Sequence, residues 1–80
     1  MTISEAVSKR IDELLFKRGW TLYKLSKESL IPISTLKNLY NNHTKCPSLA
    51  IIYKLADAFQ ISYLEFLDCE ILKSEELEYL

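Results

Sequence analysis

Pro32 is the residue that most limits what this chain can fold into. It closes the stretch Leu30-Ile31-Pro32, which separates two segments, TLYKLSKES and PISTLKNLY, whose apolar residues recur at helical spacing. Proline has no N–H to give to a helix running through it, and it drives the residue before it out of helical geometry, so the first segment must stop by Ile31. The first turn of a helix tolerates proline well, so a new helix can start at once. The result is a short helix capped by Thr21, a tight turn, and a second short helix from Pro32 or Ile33 to Tyr40 or Asn41. In the first, Leu22, Leu25 and the small Ser26 face inward, the serine leaving room for a close neighbour. In the second, Leu36 and Leu39 face inward, which leaves Ile33, Ser34, Lys37, Asn38 and Asn41 outside.

The flanking sequence is helical in the same sense. Ile3, Val7, Ile11, Leu14 and Leu15 recur at steps of three and four, with Lys9, Arg10, Asp12, Glu13, Lys17 and Arg18 mostly on the other side, which predicts an amphipathic helix over 3–18. Thr2 and Glu5 form a capping-box pattern at its start, and Gly19 suits the left-handed position just past its end. Ser48 can cap a fourth helix with Leu49, Ile52, Leu55, Ala56 and Phe59 as its apolar stripe. Ser62 and Glu65 form a second capping box, and Ile61 with Phe66 has the spacing of a hydrophobic staple at the start of a fifth helix. The fold class expected is all-α, a five-helix bundle over residues 1–68, followed by an acidic tail over 69–80 with the capacity to be helical. Tyr23, Tyr40, Tyr53 and Trp20 are expected to pack.

Composition removes several function classes. With 80 residues and 49% apolar content the chain has material for one modest core and no separate sensor or catalytic domain. No apolar run approaches the roughly 18 residues that cross a bilayer, and MTISEAVSKR lacks the apolar centre of a signal peptide, so a cytoplasmic protein without membrane contact is expected. Cys46 and Cys69 are far apart in sequence and lack histidine neighbours, a pattern for reduced thiols rather than a metal site or a disulfide. With one histidine and no phosphate-cradling glycine loop, no acid, base or nucleophile set is evident, and neither an enzyme, a cofactor nor a small-molecule substrate is expected. The net charge of -1 hides a division. Residues 1–64 hold nine Lys or Arg against five Asp or Glu, whereas residues 65–80 hold one Lys against six acids. A basic body with an acidic tail remains compatible with a polyanionic partner, because the local field at the contact face governs binding.

The helix pair is the arrangement of a helix-turn-helix, and its neighbours extend the likeness. The stretch TLYKLSKESLIPISTLKNLYNN followed by CPSLAIIYKLADAFQISYLEFL resembles the DNA-binding domains of the Cro and phage-repressor type, the Xre family, over roughly residues 3 to 67. The resemblance implies a lambda-repressor-like domain whose third helix enters the major groove while the ends of neighbouring elements grip phosphates. It assigns base reading to Ile33, Ser34, Lys37 and Asn38. Asparagine can pair bidentately with adenine, lysine can reach guanine acceptors, and isoleucine can touch a thymine methyl. It assigns phosphate contacts to Thr21 and Leu22, and to Asn41, His43, Thr44 and Lys45 after the third helix. The chain departs from the family's pattern in three places: Leu22 stands in a slot usually held by glutamine, Leu30 in a turn position usually held by glycine, and Asn42 in another usual glycine slot.

These readings make the chain a sequence-specific double-stranded-DNA-binding transcriptional regulator, a small repressor acting as a homodimer. Ile71, Leu72, Leu77 and Leu80 are candidates for the dimer contact or, equally, for covering the first helix. The rival expectation is a protein-interaction module of the same fold, antitoxin- or anti-repressor-like, whose main partner is a protein regulator.

Overall fold

A computed structural model describes residues 2–41 and 47–73. In chain order they form α1 (Ile3–Arg18), α2 (Leu22–Ser29), α3 (Ile33–Tyr40), α4 (Leu49–Ala58), α5 (Tyr63–Leu67) and a single-turn α6 (Glu70–Lys73), with no strand among the described residues. The fold is the expected all-α bundle, and the segment past Asp68 begins as a helix.

The helix ends follow from local chemistry. At the start of α1 the capping box closes in both directions: Glu5 N–H donates to the Thr2 hydroxyl at 3.1 Å, and Thr2 N–H donates to the Glu5 carboxylate at 3.0 Å. Thr21, Ser48 and Ser62 each accept from the N–H three residues on, capping α2, α4 and α5. At α5 only this half of the expected box is made. Among the described helices of five residues or more, α3 alone starts without a side-chain cap, because the capping position is Pro32. Gly19 ends α1 at φ 64°, and Trp20 N–H closes back on the Leu15 carbonyl at 3.0 Å.

The core is one cluster. Val7, Ile11, Leu14 and Leu15 from α1 meet Leu25, Ile31, Leu36 and Leu39 from the α2–α3 pair, and Ile52, Leu55, Ala56, Phe59 and Phe66 from α4 and α5. The turn between α2 and α3 is part of it. Ile31 is buried, and serines of α2 satisfy both of its backbone polar groups. Its carbonyl accepts from the Ser26 hydroxyl at 2.6 Å, and its N–H donates to the Ser29 hydroxyl at 3.2 Å. Ser26 therefore supplies more than smallness. Leu30, in the slot where glycine was the expectation, adopts φ 62° and leaves its side chain 84% exposed. A left-handed L-residue costs roughly 1–2 kcal/mol, and the serine bonds on either side of Ile31 hold the turn in spite of it.

Three side chains stand elsewhere than the sequence pattern implies. Arg10, on the polar side of the α1 pattern, is only 7% exposed: its Nε donates to the Phe66 carbonyl and its Nη2 to the Glu65 carbonyl, both at 2.7 Å, and it pairs with Glu13. These bonds satisfy the C-terminal carbonyls of a helix too short to hold itself, which is why a charge is buried there. Leu49 is exposed, since it occupies the first position of α4 and projects past the edge of the core. Tyr23 is also exposed, not packed. Tyr40 and Trp20 are partly buried against the core, as expected, while Tyr53 lies half outside and packs on the Tyr63 ring at 4.7 Å.

Candidate nucleic-acid interface

α3 is short, and two residues set its rotation. Leu36 and Leu39 are buried, with 1% and 2% of their surface exposed, so at about 100° per residue the opposite side of the helix must face out. Ser34, Lys37 and Asn38 are exposed there and Ile33 is half-buried at the edge, so all four predicted base-reading residues lie on or beside one open face. Thr35 is also exposed, at the far edge of that face. α3 contains no acidic residue, and Lys37 has no ion-pair partner among the described residues. A polyanion approaching this face meets a cation, amide and hydroxyl groups, and no fixed negative charge on the helix itself.

The C-terminal end of α3 is fastened to α1 from both sides of one residue. The Ser8 hydroxyl donates to the Tyr40 carbonyl at 2.6 Å, and the Tyr40 hydroxyl donates to Asp12 at 2.6 Å. The carboxylate and the loss of water around it make the Tyr40 phenol harder to ionise than an ordinary tyrosine. The N-terminal end is held by the Ser26–Ile31–Ser29 bonds. α3 is thus pinned to the body at both ends, by serine hydroxyls and, through Tyr40, by the Asp12 carboxylate.

The predicted phosphate contacts divide. Thr21 is exposed, and its hydroxyl already accepts from Lys24 N–H at 3.2 Å, which leaves its own proton free to donate. Leu22 is half-buried against the core, so it presents no polar side chain and only its N–H is at the surface of the helix start. Asn41 is exposed at the end of α3. His43, Thr44 and Lys45 lie outside the described residues. Of the cations on α2, Lys24 is bound to Glu28 at 3.0 Å and lies 5.7 Å from the Trp20 ring, whereas Lys27 is exposed.

The four tail residues divide too. Leu72 is partly buried against the core cluster, and α6 packs on α1. Ile71 lies in α6, and Leu77 and Leu80 lie outside the described residues. The Asp68–Lys73 ion pair spans α6; it holds the Asp68 carboxyl below its ordinary value and the Lys73 ammonium above its own. No group of His, Cys, Asp and Glu that could hold a metal occurs among the described residues, and no described helix is long and apolar enough to cross a membrane.

The sequence pattern assigned Tyr23 to packing, whereas it is exposed on the α2–α3 face. Its ring lies beside Lys37, with the ammonium 5.9 Å from the centroid. The signal was available: Tyr23 follows Leu22 and precedes Leu25 by two, a position off the inward stripe.

Residues 10–71 match the family model of the Cro/C1-type HTH DNA-binding domain. No curated protein matches the chain at a significant level.

Proposed function

Because the chain belongs to the Cro/C1-type HTH DNA-binding domain family, we propose that it is a sequence-specific regulator of transcription that reads duplex DNA with the outer face of α3. The observation that carries this is the combination of an open Ile33–Ser34–Lys37–Asn38 face with a helix pinned to the body at both ends. Asn38 reads adenine, Lys37 reads guanine acceptors and Ile33 contacts a thymine methyl in the major groove, with Ser34 between them. Thr21, the Leu22 N–H and Asn41 contact phosphates on either side, together with His43, Thr44 and Lys45. The protein acts without chemistry, as a repressor in the cytoplasm that covers a promoter.

A single domain reads too few base pairs for useful specificity, so two copies bind half-sites about one helical turn, or roughly 34 Å, apart. The working division is a reading domain over 1–68 and a tail over 69–80 that supplies apolar surface to the core through Leu72, and to the second copy through Ile71, Leu77 and Leu80.

The rival, a module that binds a protein, has one observation in its favour. Phe16 is 88% exposed beside a groove of about 700 Å³ lined by Trp20, Leu22 and Tyr40. One experiment separates the two. Selection from random duplexes is expected to enrich a two-fold-related site whose affinity falls steeply with salt, and Asn38→Ala should relax preference at one base pair by about 1–3 kcal/mol. A protein that enriches no sequence at low salt and high concentration excludes the reading function.

A further inference from the structure

The α2–α3 face carries an aromatic residue that neither the core nor the expected contact set uses. Tyr23 is the second residue of α2, 62% exposed, and its ring approaches the Lys37 ammonium to 5.9 Å. Lys37 has no carboxylate partner among the described residues, so this ring is its only restraint there. The neighbouring slot is Leu22, whose side chain packs against the core and offers nothing to an anion.

We propose that Tyr23 is a specificity-determining residue of the interface: its ring holds Lys37 on the reading face, and its hydroxyl donates to a phosphate oxygen beside the start of α2. The inference rests on the DNA-reading function proposed above. A lysine free in water samples many rotamers and delivers its charge to phosphates and bases alike. Held over a tyrosine face, it keeps one direction, which is what a base-edge contact requires. The hydroxyl is a neutral donor on the same side chain, suited to the phosphate role that leucine cannot fill. The two roles reside on different atoms and can be removed separately.

The test uses the full chain and a duplex selected by the wild-type protein, with quantitative competition against single-base variants of the site. Tyr23→Phe keeps the ring and removes the donor. It should weaken binding to selected and unselected duplexes equally, by about two- to tenfold, with base preference unchanged. The slope of affinity against salt should also stay the same, because a neutral hydroxyl releases no counterion. Tyr23→Leu removes both groups, and should in addition relax preference at the base pair read by Lys37 by about two- to fivefold. In a Lys37→Ala background, Tyr23→Leu should cause no further relaxation at that base pair. Because Tyr23 is exposed, helix content and melting should match wild type in both variants. Wild-type preference retained in Tyr23→Leu, or independent effects of the two substitutions in the double variant, overturns the ring's role. Unchanged affinity in Tyr23→Phe overturns the hydroxyl's role. Either result leaves the DNA-reading function intact, whereas a wild-type protein that selects no duplex removes both together.

Discussion

α1 holds α5 with a buried guanidinium and holds α3 with one hydroxyl–carbonyl bond and one phenol–carboxylate bond, and the two attachments lie about 180° apart on the same helix. On one side Arg10 reaches the carbonyls of Glu65 and Phe66. On the other, Ser8 and Asp12 grip the carbonyl and hydroxyl of Tyr40. The first attachment is made by a charge that has left water, so its bonds are strong and its loss is severe. The second is partly exposed and neutral on the α3 side, so its loss is mild. The α5 side of the molecule is thus built for stability, and the α3 side for orientation at little energetic cost.

The contrast can be broken most heavily at Arg10. Arg10→Met removes two charge-assisted bonds worth roughly 1.5–3 kcal/mol each, and should destabilise the protein by about 3–5 kcal/mol in urea unfolding. A total stability of about 4–12 kcal/mol is usual for a chain of this length, so the variant should lose between about a quarter and all of it. Next comes the turn. Ser26→Ala leaves the buried Ile31 carbonyl without its donor and should lose about 1–3 kcal/mol, with amide exchange across the start of α3 accelerated more than in α5. A variant that loses protection equally in both places would show that the two sides are one cooperative unit, and the contrast would fail. Tyr40→Phe should lower stability by at most about 1 kcal/mol while weakening sequence-specific DNA affinity more than non-specific affinity, since α3 would keep its fold and lose one of its fastenings. Leu30→Gly should raise stability by about 1 kcal/mol or less, because it relieves the left-handed leucine while adding chain entropy to the unfolded state.

Acid gives the smallest and sharpest separation. The Thr2 N–H and hydroxyl hold the Glu5 carboxyl below its ordinary value, and the Lys73 ammonium does the same for Asp68. A depressed carboxyl lends stability that is present above its unfolded value, about 4 for these groups, and is lost as pH falls through the lower folded value. The first turn of α1 and the α6 turn should therefore loosen below about pH 4, when the Ser26 and Ser29 bonds, which contain no group ionising there, stay intact. Residue-resolved NMR shifts over pH 3 to 6 would show it.

Much of this was legible in the sequence because a few residue types admit few backbone states. Pro32, Gly19 and the hydroxyls of Thr2, Thr21, Ser48 and Ser62 mark helix ends through local chemistry, and the observed ends fall on them. The outward face of α3 was legible for a similar reason: two inward leucines on a helix of eight residues leave little choice of rotation. Arg10 was not, because its partners are 55 and 56 residues away and its spacing along α1 is that of an ordinary solvated cation. Tyr23 was not, because aromatic character suggests packing and only the positions of neighbouring helices decide otherwise. The missing glycine at Leu30 announced an unusual turn, while the serine bonds that support it depend on a three-dimensional approach that no spacing rule contains.

The single tryptophan gives the molecule an optical signal of its own. Trp20 stacks on Phe59 at 5.2 Å, with the Arg18 guanidinium and the Lys24 ammonium within 6 Å of its ring, and it directly precedes Thr21. Its emission colour depends on the field of those two cations as well as on its exposure to water. Unfolding should shift the emission to the red. A phosphate arriving at the start of α2 would alter the field without unmaking the stack, so the same fluorophore can report melting and docking as two distinguishable spectral changes in an unlabelled protein.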